Sequence, residues 1–254
     1  MSVTVWIPNR NHGKTLEAAI VSAASQDPLE VVVIDDASED DSVDIVNRVA
    51  AEFPCVRLIR WPSKTFDWQV AASMVFRTFR GEHCMVLSAD DELAPGVVAN
   101  VTWHRKAAVV FHDYLLRTTS GDTVGCISMG VPSPSWLTPD QFCRRLVEAE
   151  NAVETGTGSS MRKEHLVWLS GMCWWEMGPW SDAIGYATIG ALWGGVYCPG
   201  VGATFTINDS GYGATERSGP KRDEYHAAVR RFLTYANVPA DAAAALMRKR
   251  QVQA

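Results

Sequence analysis

No two cysteines in this chain stand at C-x-x-C spacing: the six fall at 55, 84, 126, 143, 173 and 198. A zinc knuckle or a dithiol redox pair would need that spacing, so neither is indicated. Several of the thiols sit in apolar, strand-like runs, where free cysteine behaves as a small core residue. The usage reads as that of a reduced, intracellular protein. No basic start with an apolar stretch opens the chain, so Met1 to Pro8 does not read as a secretory leader. Residues 183–208 carry no formal charge but are broken by Gly185, Gly190, Gly194, Gly195, Pro199, Gly200 and Gly202. That punctuation predicts a short helix, a strand and a loop rather than a membrane span. Positive charge is also scarce. The net charge of −6 argues against a large nucleic-acid surface, though not against a local basic groove. There is no internal repeat and no G-x-S-x-G elbow. Gly13-Lys14-Thr15 ends like a phosphate-binding loop, but Pro8 stands where its first glycine is required. Gly156-Thr157-Gly158 lacks the rest of a dinucleotide fingerprint, and the histidines at 83, 104, 112, 165 and 226 show no metal-ligand pairing.

What is present is a pair of apolar runs that end abruptly in acids. Val31 to Ile34 runs into Asp35-Asp36, and the run ending at Leu87 passes through Ser88-Ala89 into Asp90-Asp91. Short apolar runs read as buried central strands. Acids at their carboxyl ends sit where open α/β sheets bind ligands. The two ends are about 55 residues apart, room for two strand–helix units. Carboxylates that meet a phosphorylated ligand need a divalent cation between the two negative partners. The first reading is therefore a nucleotide-diphosphate site bridged by a metal.

With 254 residues, 47% apolar and 20% charged, the chain can build one full core. Strands are expected at 3–7 (stopped by Pro8), 29–34, 56–59 and 83–87. Helices are expected at 15–26, from about Asp41, and at 67–80 with Val70, Met74 and Val75 inside. This alternation argues for a parallel, doubly wound sheet whose strand ends share one edge. Beyond Asp91 the pattern predicts a short helix at 95–104, a strand at 107–116, a return strand at 123–127 and a loop at 131–135. A helix at 138–150 should be capped by Thr138. A flexible segment follows at 155–160, then a helix at 179–192 and a strand from Val196. Residues 209–220 are polar and glycine-containing, a candidate mobile loop, and the tail from Lys221 is helical by composition.

These residues resemble the inverting glycosyltransferases of family two, which have the fold called GT-A. The likeness rests on the strand into Pro8-Asn9-Arg10-Asn11 and the helix ending Ser25-Gln26. It extends to the Asp35-Asp36-Ala37-Ser38 turn and the Ser88-Ala89-Asp90-Asp91 element. Farther on it includes Gly158 to Lys163, Gly171 and Trp180-Ser181-Asp182 before a helix. It covers roughly residues 3–205 and is looser after 150. Four positions depart from the pattern: Ser88 stands for an Asp, Ala72-Ser73 for an Arg-Asn pair, and Ser181 for a Glu. The Q-x-x-R-W element of processive synthases is absent, which disfavours a polymer synthase. The resemblance implies an α/β, GT-A (Rossmann-like) three-layer sandwich with a mostly parallel central sheet and a C-terminal helical extension. Residues 1–92 would form the nucleotide-sugar half and 93–207 the acceptor half. Residues 208–254 would form a mobile loop and helical tail.

The resemblance further implies transfer of a sugar from a UDP-linked donor to an acceptor hydroxyl, assisted by Mn2+ or Mg2+. The acceptor would be a glycan, a lipid-linked or a small molecule, with a nucleic-acid acceptor disfavoured. Location would be cytoplasmic, with peripheral association at a membrane as a variant. Asp182 is the candidate base; a helix N-cap is its other reading. Asp90 is the candidate metal ligand, and a turn carboxylate the other reading. Pro8, Asn9, Arg10, Asp35, Asp36, Ser88 and Ala89 are the candidate nucleotide contacts. Asp35 would accept from a base ring N–H, and Arg10 would stack on the base. Asp91 either shapes the loop or reaches the donor sugar. Arg60, Lys64, Arg217, Lys221 and Arg222 are candidate pyrophosphate partners. Trp168, Trp174, Trp175, Trp180 and Trp193 either pack the core or stack on a sugar. Two other readings compete: a nucleotidyltransferase, and a catalytically silent nucleotide-sugar binding module suggested by Ser88 and Ser181.

Overall fold

The computed structural model describes residues 3–64, 74–148, 156–172, 174–208 and 212–251. Its first third alternates as expected: β1 (Val3–Asn9), α1 (Gly13–Ala24), β2 (Glu30–Asp35), α2 (Ser42–Glu52), β3 (Val56–Arg60) and β4 (His83–Val86). Helix α1 buries Leu16, Ala19, Ile20, Ala23 and Ala24, the stripe that the 3.6-residue period places on one face. Then come β5 (Glu92–Leu93), α3 (Val97–Trp103), β6 (Val109–Thr118), β7 (Thr123–Ile127), β8 (Ser135–Leu137) and α4 (Pro139–Glu148). Helix α4 opens on a reciprocal cap, in which the Gln141 amide accepts from the Thr138 N–H and the Thr138 hydroxyl from the Gln141 N–H. The chain continues through β9 (Ser160–Arg162), α5 (Lys163–Gly171), a 3-10 segment (Trp174–Trp180), α6 (Ser181–Trp193) and β10 (Gly195–Ile207). Three C-terminal helices follow: α7 (Tyr212–Ser218), α8 (Arg222–Tyr235) and α9 (Ala240–Gln251).

Among the described residues the strands form one sheet in the order β3-β2-β1-β4-β9-β6-β10-β5, with β7 added to β6 and β8 to β10. Strands β1 to β4 are mutually parallel, and so are β6 and β10. Strand β9 is antiparallel to both β4 and β6, so all six of those strands point the same way. One face of the sheet packs Leu16, Ile45, Val46 and Val97 from α1, α2 and α3. The other packs Phe142, Leu166, Ile184, Val229 and Leu246 from α4, α5, α6, α8 and α9. Each such side chain contributes about 1.5–3 kcal/mol on burial. The result is the expected three-layer α/β architecture with C-terminal helices. Among the described residues no helix is long and apolar enough to cross a membrane.

Several local expectations differ from what is observed. Strand β1 does not stop at Pro8 but runs to Asn9. The pairing of β1 with β4 ends at Trp6, so no ladder partner is lost where Pro8 lacks an N–H. Met74, expected inside a helix, is 66% exposed, while residues 67–73 of that expected helix, with Val70, Ala72 and Ser73, lie outside the described residues. The segment expected to be flexible at 155–160 ends in β9, which fills the gap between β4 and β6; Thr155 lies outside the described residues. Too short to show a period, β9 carries no sequence signal of its own. Helix α7 forms where a mobile loop was expected, and Glu216 on it accepts from the Tyr225 hydroxyl of α8. Residues 209–211 of that loop lie outside the described residues.

Candidate functional site

Parallel strands deliver the two acidic turns to one edge. Asn9 pairs with Asp35, and the Leu87 N–H donates to the Trp6 carbonyl. The ends of β1, β2 and β4 therefore lie side by side.

The first turn is built around Asp35, which is 1% exposed. Its Oδ1 accepts from Asn9 Nδ2 at 2.8 Å and from the Ser38 hydroxyl at 2.5 Å, and its Oδ2 from the Ser38 N–H at 3.0 Å. Arg60, considered above for pyrophosphate, lies 3.7 Å from the same Oδ2. Ala37 is held at φ +54, a backbone conformation that these bonds stabilise. Arg10 reaches across to donate to the Asp36 carbonyl at 3.0 Å, with the Asp36 carboxylate at 3.8 Å. Among the described residues the buried Oδ1 of Asn9 has no hydrogen-bond partner. The phosphate-loop alternative fails on geometry as well, because the Gly13 N–H at the start of α1 is taken by Asp40 at 2.8 Å.

The second turn contains Ser88, Ala89, Asp90 and Asp91, closed by the Asp91 N–H on the Ser88 carbonyl. Ala89 is buried at 3% exposure. Asp91 points inward, 1% exposed. Its Oδ1 accepts from the Thr206 N–H at 2.7 Å and its Oδ2 from the Thr157 hydroxyl at 2.8 Å. Burial, with the adjacent Asp90 charge second, pushes its carboxyl well above the ordinary range. Of the two roles weighed for Asp91, loop shaping matches this inward orientation. Asp90 is half-buried. Among the described residues no side chain hydrogen-bonds its carboxylate. Burial raises its pKa, opposed by His12 and Arg117.

Between the turns and α6 runs the glycine segment 156–159. The Gly156 N–H donates to Asp182 Oδ2 at 2.8 Å, and Thr157 Oγ1 lies 3.2 Å from Ser88 Oγ. The Gly158 N–H donates to the Val86 carbonyl. A Cβ on Gly156 would lie 2.9 Å from Val86 and 3.1 Å from Asp182 Cβ. Gly158 has φ +73, and a Cβ there would meet the Ala203 Cβ at 2.7 Å. Asp182 is the second residue of α6. The N-cap position belongs to Trp180, which makes no side-chain capping bond. The carboxylate thus sits in the positive first turn of a helix without capping it. Ser88, Asp91 and Asp182 are in this way gathered around one short segment, and Asp90 lies on the same turn as the first two.

The tryptophans divide. Trp180 is buried against Tyr225 and His226, while Trp168 and Trp193 pack together with His165. The side chains of Trp174 and Trp175 lie outside the described residues. Sequence reasoning missed Thr157 and Thr206, whose partners are 66 and 115 residues away; no local pattern marks such contacts.

No group of three His, Cys, Asp or Glu residues among those described could by itself hold a metal. The site offers Asp90, a half-buried carboxylate with no side-chain hydrogen bond among the described residues. That suits a hard dication brought in on a diphosphate, which takes one or two protein carboxylates and fills its other positions with phosphate oxygen and water.

The sequence model of glycosyl transferase family 2 matches residues 4–166. No curated protein matches the chain by sequence. Among solved structures, S. aureus TarS 1-349 in complex with UDP-GlcNAc aligns with a TM-score of 0.70 at 15% identity, covering 96% of this chain and 69% of that one. The mannosyltransferase PcManGT from Pyrobaculum calidifontis, in complex with GDP-Man and Mn2+, aligns at 0.60 and 20% identity, covering 96% and 68%. GalNAc-T7 with UDP, GalNAc and Mn2+ aligns at 0.55 and 15%, covering 93% and 55%. At these identities the likeness to the solved structures is one of fold.

Proposed function

The chain belongs to glycosyl transferase family 2, an inverting family, and on that premise we propose that it transfers a sugar from a UDP-linked donor to an acceptor hydroxyl by a single displacement. The observation that supports this most is the convergence on residues 156–159 of Asp182 and the turn bearing Asp90. An inverting transfer needs a base on one side of the anomeric carbon and charge stabilisation on the other. Asp182 takes the acceptor proton as the acceptor oxygen bonds to the anomeric carbon. The bond from that carbon to the diphosphate breaks, and the electron pair leaves with the diphosphate. Asp90 would hold a divalent cation, Mn2+ or Mg2+, which would supply Lewis-acid stabilisation of the departing charge. TarS with UDP-GlcNAc and PcManGT with GDP-Man and Mn2+ lend the donor class support.

The first turn supplies the nucleoside contacts. Pro8, Asn9, Arg10 and Asp36 line the base, and Asp35 holds their turn in place through its bonds to Asn9 and Ser38. Ser88 and Ala89 face the ribose. Asp91 fixes the shape of the loop that approaches the donor sugar.

A screen of nucleotide-sugars with Mn2+ present, reading released nucleoside diphosphate, tests the proposal. Turnover should be found with a uridine donor, and proton NMR should show a β-linked product from an α-linked donor. A retained α linkage rejects the single displacement. Tight, metal-dependent UDP binding without turnover on any donor would favour the silent binding module, which the Ser88 and Ser181 substitutions suggest.

A further inference from the structure

We propose that Thr157 is a positioning residue that clamps the nucleotide-side turn and the base-bearing helix into one unit, an inference that rests on the transfer reading above. Thr157 is 3% exposed and touches neither substrate nor metal in that reading. Its hydroxyl lies between two partners on the β4 turn, donating to Asp91 Oδ2 at 2.8 Å and lying 3.2 Å from Ser88 Oγ. The residue before it donates its N–H to Asp182 Oδ2 at 2.8 Å. The residue after it is anchored twice, by its N–H on the Val86 carbonyl and by its carbonyl facing His112 Nδ1 at 3.2 Å. Three consecutive residues thus tie β4, α6 and β6 together. Both flanking positions are restricted to glycine by the close approaches at Val86, Asp182 and Ala203.

The consequence is mechanical. The Asp182 carboxylate receives a backbone N–H whose position depends on where the next residue is pinned. Thr157 is pinned by the Ser88–Asp91 turn, which also sets Asp90. A displacement needs the attacking and departing sides in register, and a shift of about 1 Å far from the chemistry can cost on the order of 10²-fold in rate. Losing the Thr157 hydroxyl releases the middle of the segment from the β4 turn and removes one of the donors to the Asp91 carboxylate, which keeps the Thr206 N–H and Ser88. Both ends of the site should then loosen together.

Thr157→Val removes the hydroxyl at nearly constant shape, and Thr157→Ser keeps the hydroxyl while deleting the methyl. Hydrogen exchange read by mass spectrometry should be faster in Thr157→Val across both 86–93 and 180–188, and parent-like in Thr157→Ser. In turnover, Thr157→Val should lose on the order of 10²-fold in kcat and bind UDP more weakly, while Thr157→Ser restores both. Faster exchange at only one of the two segments overturns the proposal. So does a Thr157→Ser variant as impaired as Thr157→Val, because the methyl and its packing would then carry the effect. If Thr157→Val does not accumulate as folded protein, the Thr157→Ser comparison decides alone: impairment rejects the clamp, and parent-like exchange and turnover uphold it. A parent enzyme that transfers no sugar would reject the transfer reading, while the exchange comparison would still decide the role of Thr157.

Discussion

Asp182 and Asp90 differ in what surrounds them, and this separates their expected phenotypes. Asp182 accepts from a backbone N–H in the first turn of α6 and does not cap the helix. Asp182→Asn keeps size but cannot take a proton near neutral pH. Transfer should fall by on the order of 10²–10⁴-fold with UDP affinity retained. Near-parent turnover would reduce Asp182 to a first-turn carboxylate. Asp90 takes no side-chain hydrogen bond among the described residues, so Asp90→Ala should leave the melting temperature close to that of the parent. It should remove the gain in UDP affinity that Mn2+ gives, as read by calorimetry; an unchanged gain places the cation elsewhere. Asp35 should behave in the opposite way. Its carboxylate holds Asn9 and Ser38 in the turn, so Asp35→Ala strands buried donors at about 1–3 kcal/mol each. A lower melting temperature and weaker UDP binding should appear together. Weaker binding at parent stability would instead mark Asp35 as a direct contact only.

Among the elements, the glycine segment 156–159 controls how the site is assembled. Gly158→Ala must place a side chain at φ +73 with a Cβ 2.7 Å from that of Ala203. It should destabilise by more than about 1 kcal/mol and weaken UDP binding. Gly171→Ala is the control: it closes α5 with nothing within 4 Å of an added Cβ. It should stabilise by about 0.4–1 kcal/mol. Equal melting temperatures for the two variants would show that the segment relaxes freely. The same contrast explains what the sequence discloses. Helix α1 and strands β1 to β4 are legible because each carries its own period or apolar run, and the acids that end those runs are adjacent to them in sequence. Helix α4 announces itself through the Thr138–Gln141 cap. Strand β9 and the 156–159 segment are not legible, because their conformation comes from partners far along the chain: Met85, Val110, Asp182 and Ala203. Thr157 reads as an ordinary loop threonine until the fold brings Asp91 and Ser88 to it.

At the scale of the whole molecule, the sheet buries two neutral histidines near the site's supporting strands, and these set how the protein responds to acid. His83 on β4 is fully buried, with Nε2 at 2.9 Å from the Arg105 carbonyl and Nδ1 at 3.2 Å from Ser160 Oγ. Burial is the main cause that brings its pKa down to about 4, and it does the same for His112 on β6. A histidine in the unfolded chain titrates near 6.5, so between about 6.5 and 4 the unfolded state binds more protons than the folded one. The stability from keeping these rings neutral is complete above about pH 6.5 and is lost as the pH falls toward 4. Each ring contributes a slope approaching about 1.4 kcal/mol per pH unit within that window. Glu30 at the foot of β2 enters later. Burial favours its neutral form, but bonds from Arg57, the Arg80 N–H and Thr4 outweigh burial and hold it below 4.5, so its share is lost only under more acidic conditions. Urea unfolding at a series of pH values should therefore show the histidine share of stability falling from pH 6.5 downward, offset in part by buried Asp91, whose raised carboxyl takes up its proton first in the folded state. His83→Gln keeps an N–H for the Arg105 carbonyl and has no titrating ring, so it should start less stable at pH 7 and lose less stability than the parent between pH 6 and 4.5. A His83 ring that titrates near 6.5 by NMR in the folded protein, or a His83→Gln variant that loses as much stability as the parent, would mean that water or structural relaxation reaches β4 and that the sheet does not hold the ring neutral.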